Sequence, residues 1–244
     1  SRRRCIYLLP NLFTTAALFA GFYAIVQAMN FRFGLAAVAI FVAMVLDSLD
    51  GRVARLTRTQ SAFGAEYDSL SDMVSFGAAP ALIVYEWALK GMGNLGWIAA
   101  FVYVAGAALR LARFNVMLDV ADKRWFTGIP SPAAAALVAG LVWIIDDYNI
   151  DPIGLKWWVW VVTVFAGLTM VSNVPYYSFK TINLKKSVPF LAIFVVVLVI
   201  ALLSYQPALV LFAGFVGYAL SGYVVVVWRW FARRRRPLPT APPQ

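Results

Sequence analysis

Four aspartates lie close together in a chain that otherwise carries few charges. They are Asp47, Asp50, Asp68 and Asp72, in a protein of 244 residues of which 62% are hydrophobic and 13% are charged. A carboxylate at membrane depth costs about 2.5–3.5 kcal/mol on insertion scales. A chain with four of them on two adjacent apolar segments is therefore expected to compensate them with bound cations. The four residues predict a metal-dependent active site.

The residue types in this region favour a hard divalent cation. Four aspartates, with two oxygens each, offer up to eight carboxylate oxygens, which suit Mg²⁺, Mn²⁺ or Ca²⁺. Two cations about 4 Å apart would be typical where a phosphoryl group bridges them. The chain has no histidine and a single cysteine, Cys5, so neither a zinc site nor a Ser-His-Asp triad is expected.

Helical spacing divides the residues of this region between two faces. In an α-helix, positions three, four and seven residues apart lie on the same side. The first face comprises Asp47, Asp50, Gly51 and Ala54. The second face comprises Gly64, Asp68 and Asp72. The small residues leave room for a ligand or another backbone, although small residues in a membrane bundle also tighten helix packing.

The composition is typical of a polytopic α-helical membrane protein, because soluble domains do not carry so much apolar surface. Eight apolar runs are present, and no Pro- or Ser-rich linker divides them. We therefore predict an all-α bundle of about eight transmembrane helices, which forms one domain over residues 1–236 and is followed by a disordered tail at 237–244. The runs are 9–29, 31–49, 71–89, 96–114, 132–150, 157–179, 188–205 and 208–230.

The lengths of the second and third runs predict the depth of the aspartates. Residues 31–46 number 16, about 24 Å of helix, whereas the hydrocarbon core is about 30 Å thick. To cross it, the second helix must continue through Asp47 and Asp50, and the third must include Asp72 and extend towards Asp68. Both carboxylate pairs are expected to be recessed into the cytoplasmic side of the bilayer and to face the bundle interior.

The basic residues indicate the orientation of the chain in the membrane. The formal net charge is +10, and all 21 Lys and Arg residues except Arg32, Lys90 and Lys156 lie at every second boundary between the apolar runs. By the positive-inside rule these boundaries are cytoplasmic. We expect both termini and the active site to be cytoplasmic, in the cytoplasmic membrane of a prokaryote. Membrane lipid, and not nucleic acid, is the expected partner of the positive charge.

A plainer interpretation of the aspartates is also open. They could cap their helix ends and form surface ion pairs with Arg52, Arg55 and Arg58. A single D-x-x-D-G segment would favour that interpretation. The full pattern, D-x-x-D-G-x-x-A-R-x8-G-x-x-x-D-x-x-x-D, favours an active site because so many positions with defined spacing rarely coincide.

This full pattern resembles the signature of the CDP-alcohol phosphatidyltransferase family. Its defined positions are matched by Asp47, Asp50, Gly51, Ala54, Arg55, Gly64, Asp68 and Asp72. The resemblance implies that the four aspartates bind two divalent metals, which hold the diphosphate of a CDP-lipid, and that Asp72 is the general base. We expect Asp72 to be the most weakly coordinated of the four, because a metal-bound carboxylate is a poor base. The residues implied for the CDP-lipid site are Asp50, Gly51, Ala54, Arg55 and Gly64.

The segment P-N-L-F-T at residues 10–14 resembles the opening of the first helix across the family. Asn11 and Thr14 are therefore candidate contacts to the nucleotide or the phosphates of the CDP-lipid. Either residue could instead be an ordinary cap at the start of a helix.

Three further segments resemble the phosphatidylserine-forming branch of the family. They are D-S-L-S-D-M-V-S-F-G-A-A-P-A at 68–81, R-L-A-R-F-N at 110–115 and F-T-G-I-P-S-P-A-A-A at 126–135. The implied reaction is attack of the L-serine hydroxyl group on the β-phosphorus of CDP-diacylglycerol, which releases CMP. Family members are often homodimers, so a homodimer is expected.

L-Serine must be held by its carboxylate and ammonium groups as well as by its hydroxyl group. Arg110 and Arg113 lie one turn apart at the end of the fourth run, and guanidinium is the usual clamp for a carboxylate. Arg110 is favoured because it lies deeper in the apolar run. Both residues could instead be positive-inside charges that contact lipid phosphate. The family resemblance adds Asn115 and Ser131 to the candidate serine site.

Two alternatives to this function are open. The acceptor could be glycerol phosphate, inositol or inositol phosphate, although the phosphorylated acceptors would need a denser basic pocket. A divalent-cation transporter would also need intramembrane carboxylates, but it predicts acidic residues at mid-depth along several helices. Here they are confined to one end of two helices, which favours the enzyme.

Overall fold

The structure is a computed structural model that describes residues 2–57, 61–117, 125–178 and 190–234. Helices dominate these residues, and five helical segments are long and apolar enough to cross a membrane. The predicted all-α membrane bundle is confirmed. The α-helices are α1 (Arg2–Met29), α2 (Phe33–Thr57), α3 (Ala62–Asp72), α4 (Ala79–Val84), α5 (Asn94–Met117), α6 (Ser131–Asp147), α7 (Lys156–Val171), α8 (Phe190–Tyr205) and α9 (Pro207–Arg234).

Each of the eight predicted apolar runs contains helical structure, and several helices extend beyond their run. The helix α1 begins at Arg2, and α2 continues to Thr57, well past the end of its apolar run at residue 49. The predicted disordered tail at 237–244 lies outside the described residues, as do Arg58 and the start of the seventh run.

The third run lies in a continuous helical segment that contains α3, α4 and three irregular turns. The first irregularity has a local cause, because Pro80 has no N–H to donate to the carbonyl oxygen of Phe76 four residues earlier. The hydroxyl group of Tyr103 on α5 donates to that oxygen at 2.8 Å instead. The buried carbonyl group is thereby satisfied across a helix interface. The irregular turns are Met73–Ala78, Tyr85–Leu89 and Lys90–Met92.

Two short strands form an antiparallel ribbon that no sequence pattern predicted. The strand β1 (Trp125–Thr127) precedes α6, and β2 (Pro175–Tyr177) follows α7. They pair with Phe126 opposite Tyr176. The ribbon joins the connections that follow α5 and α7 at one end of the bundle.

The ribbon corrects one predicted boundary. The sixth run was expected to span 157–179, but α7 ends at Val171 and Ser172 takes an extended backbone conformation. The apolar residues that follow belong to β2. Their apolar character reflects burial in the ribbon, as at Tyr176, which is fully buried.

Small residues allow the helices to pack closely. Residues 133–140 of α6 are all buried, which places this helix at the centre of the bundle. At the crossing of α5 and α7, a Cβ atom on Gly106 would lie 2.5 Å from the carbonyl oxygen of Gly167. Glycine is therefore required at this crossing. The helix α8, by contrast, is exposed along its length and packs against α9.

Candidate active site

The facing ends of α2 and α3 bring the predicted carboxylates together. One carboxylate oxygen from each of Asp47, Asp50 and Asp68 lies within 4.8 Å of the others. The helix α2 includes both of its aspartates well before its end at Thr57, as the length argument predicted. We call these three residues the acidic cluster.

Asp72 lies one helical turn beyond Asp68 and outside the acidic cluster. It is the last residue of α3, and its carboxyl group contacts the carboxyl group of Asp47. All four predicted carboxylates therefore belong to one neighbourhood, although three of them form the tightest group. The prediction that Asp72 is the general base stays a prediction.

A threonine on α1 orients one member of the cluster. Asp50 is only 5% exposed, and its Oδ2 accepts a hydrogen bond of 2.7 Å from the hydroxyl group of Thr14. A hydrogen bond to a charged acceptor is stronger than one between neutral groups. Thr14 had been predicted to contact nucleotide or phosphate. The structure places its hydroxyl group on a carboxylate of the cluster.

Two serines that the sequence patterns did not single out attach the third helical segment to α1. The hydroxyl group of Ser71 donates to the carbonyl oxygen of Thr14 at 3.2 Å, and that of Ser75 donates to the carbonyl oxygen of Ala17 at 3.0 Å. Both serines are buried. A signal was available, because serines four residues apart in an apolar run lie on one helical face. These bonds fix the position of Asp72, which lies between the two serines.

The two glycines of the motif differ in the space around them. The side-chain atom nearest to a Cβ on Gly51 would be Nη1 of Arg55, at 4.0 Å. A Cβ on Gly64 would lie 3.1 Å from Oγ of Ser61 and 3.5 Å from Oδ1 of Asn11, so Gly64 is closely packed and Asn11 lies at the start of α3. Ala54 is half-buried and Arg55 is exposed. Open space is therefore found beside Gly51 and not beside Gly64.

The acidic cluster adjoins an apolar groove between α1 and α2. The groove has a volume of about 600 Å³. Leu46 lines it and directly precedes Asp47, so the groove begins beside the cluster. It extends along both helices as far as Tyr23 and Leu35. The residues used below are Leu12, Thr15 and Phe19 from α1 and Val38, Val42 and Leu46 from α2.

Arg110 is a buried cation at the end of α5. It is 6% exposed, and its Nε donates to the carbonyl oxygen of Ile129 at 2.7 Å. Its guanidinium carbon lies 5.8 Å from the centroid of the Phe126 ring. Among the described residues, no hydrogen bond is formed by its two terminal nitrogens. Those nitrogens are available to a planar anion such as a carboxylate.

Arg113 contacts backbone carbonyl groups. Its terminal nitrogens donate to the carbonyl oxygens of Thr127 at 2.7 Å, Met170 at 3.1 Å and Val171 at 3.1 Å. The last two belong to the final turn of α7, whose carbonyl groups lack helical partners. Arg113 therefore caps α7 and attaches it to β1. Its predicted contact to serine stays a prediction.

The remaining predicted serine-site residues lie on different elements. Asn115 is exposed, and its Nδ2 donates to the hydroxyl group of Ser69 at 3.1 Å, which places it beside Asp68 on α3. Ser131 is buried at the start of α6, two residues after the acceptor of the Arg110 hydrogen bond. The structure therefore joins Asn115 to α3 through Ser69 and joins Arg110 to the segment that leads into α6.

The donor set of the acidic cluster fits a divalent cation. The three converging ligand atoms are carboxylate oxygens, which Mg²⁺, Mn²⁺ and Ca²⁺ accept. Asp47, Asp50 and Asp68 could therefore hold a divalent metal.

Comparison with known proteins agrees with the motif. The profile of the CDP-alcohol phosphatidyltransferase family matches residues 7–171. Three similar curated relatives bear the name CDP-diacylglycerol–serine O-phosphatidyltransferase. The protein from Helicobacter pylori strain 26695 is 38% identical over 230 residues, 91% of this chain and 92% of that protein. The protein from Mycobacterium leprae is 33% identical over 205 residues, 80% of this chain and 66% of that protein. The protein from Methanocaldococcus jannaschii is 41% identical over 137 residues, 56% of this chain and 61% of that protein. This chain belongs to the CDP-alcohol phosphatidyltransferase family.

Proposed function

We propose that this protein transfers the phosphatidyl group of CDP-diacylglycerol to the hydroxyl group of L-serine and releases CMP. The observation that carries the proposal is the acidic cluster next to an apolar groove, which is lined by Leu46, the residue before Asp47. A CDP-lipid has a diphosphate next to acyl chains, so it needs these two environments side by side. Relatives that cover most of the chain are named for the same reaction.

The aspartates would hold two divalent cations, Mg²⁺ or Mn²⁺, and Ca²⁺ also suits oxygen ligands. Asp47, Asp50 and Asp68, whose oxygens converge, would be the main ligands, and Asp72 would be the most weakly coordinated. When bound, the cations neutralise the diphosphate and the charge that develops on its oxygens. Thr14 keeps the Asp50 carboxylate in place through its hydrogen bond.

Asp72 is the proposed general base, which accepts the proton of the serine hydroxyl group. The serine oxygen attacks the β-phosphorus and forms the new P–O bond, while the bond from that phosphorus to the oxygen of CMP breaks. Asp72 accepts the hydroxyl proton, and CMP leaves with the bridging oxygen. Asp72 suits this role because it lies beside the acidic cluster and not within it.

The apolar groove would receive an acyl chain of the lipid. Along α1 the groove extends from Leu12 to Tyr23. These residues are 11 positions apart, which corresponds to about 16 Å of helix. That is about half of the 30 Å hydrocarbon core, a distance suited to one chain of a membrane lipid. The groove opens sideways, so the lipid can enter from the bilayer.

Arg110 would bind the carboxylate of serine. A buried guanidinium is costly unless an anion compensates its charge, and among the described residues the terminal nitrogens of Arg110 form no hydrogen bond. Asn115 and Ser131 would contact the rest of the acceptor. Arg113 would contribute at the rim of the same region, where its main contacts are to the backbone.

The protein would lie in the cytoplasmic membrane of a prokaryote, with both termini and the active site on the cytoplasmic side. The positive-inside rule supports this orientation, because Arg52 and Arg55 are exposed near the acidic cluster. We also propose a homodimer, and each subunit carries a complete set of the four aspartates.

The direct test is CMP release by the protein in detergent, with CDP-diacylglycerol, L-serine and Mg²⁺ or Mn²⁺. We expect release that requires both the metal and serine, and that glycerol phosphate, inositol or inositol phosphate do not support. Faster release with one of those alcohols would contradict the choice of serine. No release with any alcohol would contradict the enzyme.

The substitution Asp72→Asn tests the assignment of the base. It keeps the size of the side chain but removes its ability to accept a proton, so we expect CMP release to fall by about 10³-fold. Unfolding temperature and metal-dependent stabilisation should stay close to those of the wild type. Near-normal CMP release by the variant would exclude Asp72 as the base.

A further inference from the structure

Two hydroxyl groups meet at the junction between the acidic cluster and the apolar groove. The Oγ1 of Thr15 on α1 and the Oη of Tyr67 on α3 are 2.8 Å apart. Thr15 lines the groove, and Tyr67 directly precedes Asp68 of the cluster. We call these two residues the hydroxyl pair. It lies where the head group of a bound CDP-lipid would meet its acyl chains.

Two consecutive residues of α1 contact the acidic cluster and the apolar groove, respectively. Thr14 donates to Asp50 in the acidic cluster, and Thr15 faces the groove. The ring of Tyr67 stacks with that of Phe63 at 5.9 Å between centroids, which restricts the direction of its hydroxyl group. The hydroxyl pair is thus held in a fixed place by both helices.

The hydrogen bonds of the pair can be assigned from the number of hydrogens. Thr15 also donates to the carbonyl oxygen of Asn11 at 2.7 Å. A threonine hydroxyl group has one hydrogen and can accept two hydrogen bonds, so Tyr67 donates to Thr15. If the Thr15 hydrogen turns towards the Tyr67 oxygen, the Tyr67 hydrogen becomes available to a third group. The pair can therefore donate one hydrogen bond to a ligand without separating.

The groove offers few other polar groups. Among its lining residues in the described part of the chain, only Thr15 and Tyr23 carry a polar side-chain atom, and Tyr23 lies at the opposite end. Moving a carbonyl group from water into an apolar environment costs free energy unless the group accepts a hydrogen bond there. An ester carbonyl at the acidic end of the groove would therefore need the hydroxyl pair.

We propose that the hydroxyl pair binds an ester carbonyl oxygen of the lipid donor and selects donors with ester-linked chains over donors with ether-linked chains. The inference rests on the proposed function, which places the phosphates at the acidic cluster and a chain in the groove. The atoms between these two parts are the glycerol backbone and its ester groups. An ether oxygen is a weaker acceptor and lacks the projecting carbonyl oxygen.

The test compares two donors of equal chain length, CDP-diacylglycerol and CDP-dialkylglycerol, with saturating L-serine and metal. The quantity measured is the ratio of their kcat/KM values, from CMP release. We expect the wild type to prefer the ester donor. In Tyr67→Phe, kcat/KM for the ester donor should fall about tenfold, the size of one hydrogen bond, and that for the ether donor should change little.

The matched control is Tyr23→Phe, the same substitution at the far end of the groove. It should keep the wild-type ratio, whatever its effect on the absolute rates. Activity on the ether donor reports whether Tyr67→Phe is folded and catalytically competent.

The outcomes separate the inference from the function on which it rests. Equal losses on both donors, or an unchanged ratio in Tyr67→Phe, would overturn the role of the hydroxyl pair while leaving phosphatidyl transfer intact. A wild-type protein that releases CMP from neither donor would contradict the proposed function, and the inference would fall with it.

Discussion

Asp50 shows how a single residue can create the need for a cation. Its side chain is 5% exposed and accepts a hydrogen bond from Thr14, yet it lies within 4.8 Å of carboxylate oxygens from Asp47 and Asp68. One neutral donor does not balance a buried charge, and neighbouring carboxylates add repulsion. A bound cation removes both penalties. The sequence could predict this cluster, because helical spacing brings the carboxylates to facing sides of two helices.

The hydrogen bond from Thr14 should strengthen metal binding. Thr14→Val keeps the shape of the side chain and removes the donor, so the Asp50 carboxylate loses the group that orients it. Groups that orient metal ligands typically affect affinity by about 10–100-fold. We expect the Mg²⁺ concentration for half-maximal CMP release to rise about tenfold.

Thr163→Val is the matched control for that measurement. Thr163 is also buried, but its hydroxyl group donates to the carbonyl oxygen of Val159 in its own helix, α7. Its variant should keep the wild-type metal requirement. Equal metal requirements in Thr14→Val and the wild type would show that the hydrogen bond plays no part in metal binding.

At the scale of elements, Arg113 joins parts of the chain that lie far apart in sequence. It connects α5 to the last turn of α7 and to β1 through hydrogen bonds to backbone carbonyl groups. Hydrogen bonds to charged groups contribute about 1.5–3 kcal/mol each in well-ordered sites. The ribbon of β1 and β2 in turn leads into the loop that contacts Arg110. Arg113 thus holds α5, the last turn of α7 and the ribbon together.

Replacement of Arg113 should therefore affect stability before it affects serine binding. For Arg113→Met we expect a loss of about 2 kcal/mol, which lowers the unfolding temperature by about 4–8 °C in a protein of this size. Intrinsic fluorescence of the nine tryptophans can follow unfolding in detergent.

Arg229→Met provides the comparison for Arg113. Arg229 is exposed and stacks on the ring of Trp125 at 4.9 Å, so it contacts the same ribbon from the outside. Exposed cation–π contacts contribute about 0.5–1 kcal/mol, and its variant should unfold at a temperature close to that of the wild type. If Arg113→Met instead raised KM for serine at unchanged stability, the predicted direct contact to serine would be favoured.

The elements differ in how far sequence could predict them. The extension of α2 through Asp47 and Asp50 followed from the thickness of the bilayer. The ribbon could not be predicted, because three-residue strands have no measurable periodicity and their pairing links residues 50 positions apart, such as Phe126 and Tyr176. The capping of α7 by Arg113 could not be predicted either, because its acceptors are backbone carbonyl groups, which every residue has.

At the scale of the whole molecule, the aspartates of α2 and α3 place negative charge inside a mostly apolar bundle. The helix α1 packs against both of them and supplies backbone acceptors to Ser71 and Ser75. These contacts hold the carboxylates together even though their charges repel. A cation bound to Asp47, Asp50 and Asp68 would link α2 to α3 and reverse the sign of that interaction.

Metal binding should therefore stabilise the entire fold and not only the site. A ligand at 100 times its Kd stabilises the native state by about 2.7 kcal/mol, or about 5–10 °C for a chain of this length. We expect the unfolding temperature in detergent to fall by this amount when EDTA replaces Mg²⁺ or Mn²⁺. In Asp68→Asn most of this difference in unfolding temperature between metal and EDTA should disappear, because the substitution removes the carboxylate ligand that α3 contributes. Asp147→Asn, the same substitution at the exposed end of α6, should retain it. An unfolding temperature that is the same in metal and in EDTA would contradict a cation link between α2 and α3.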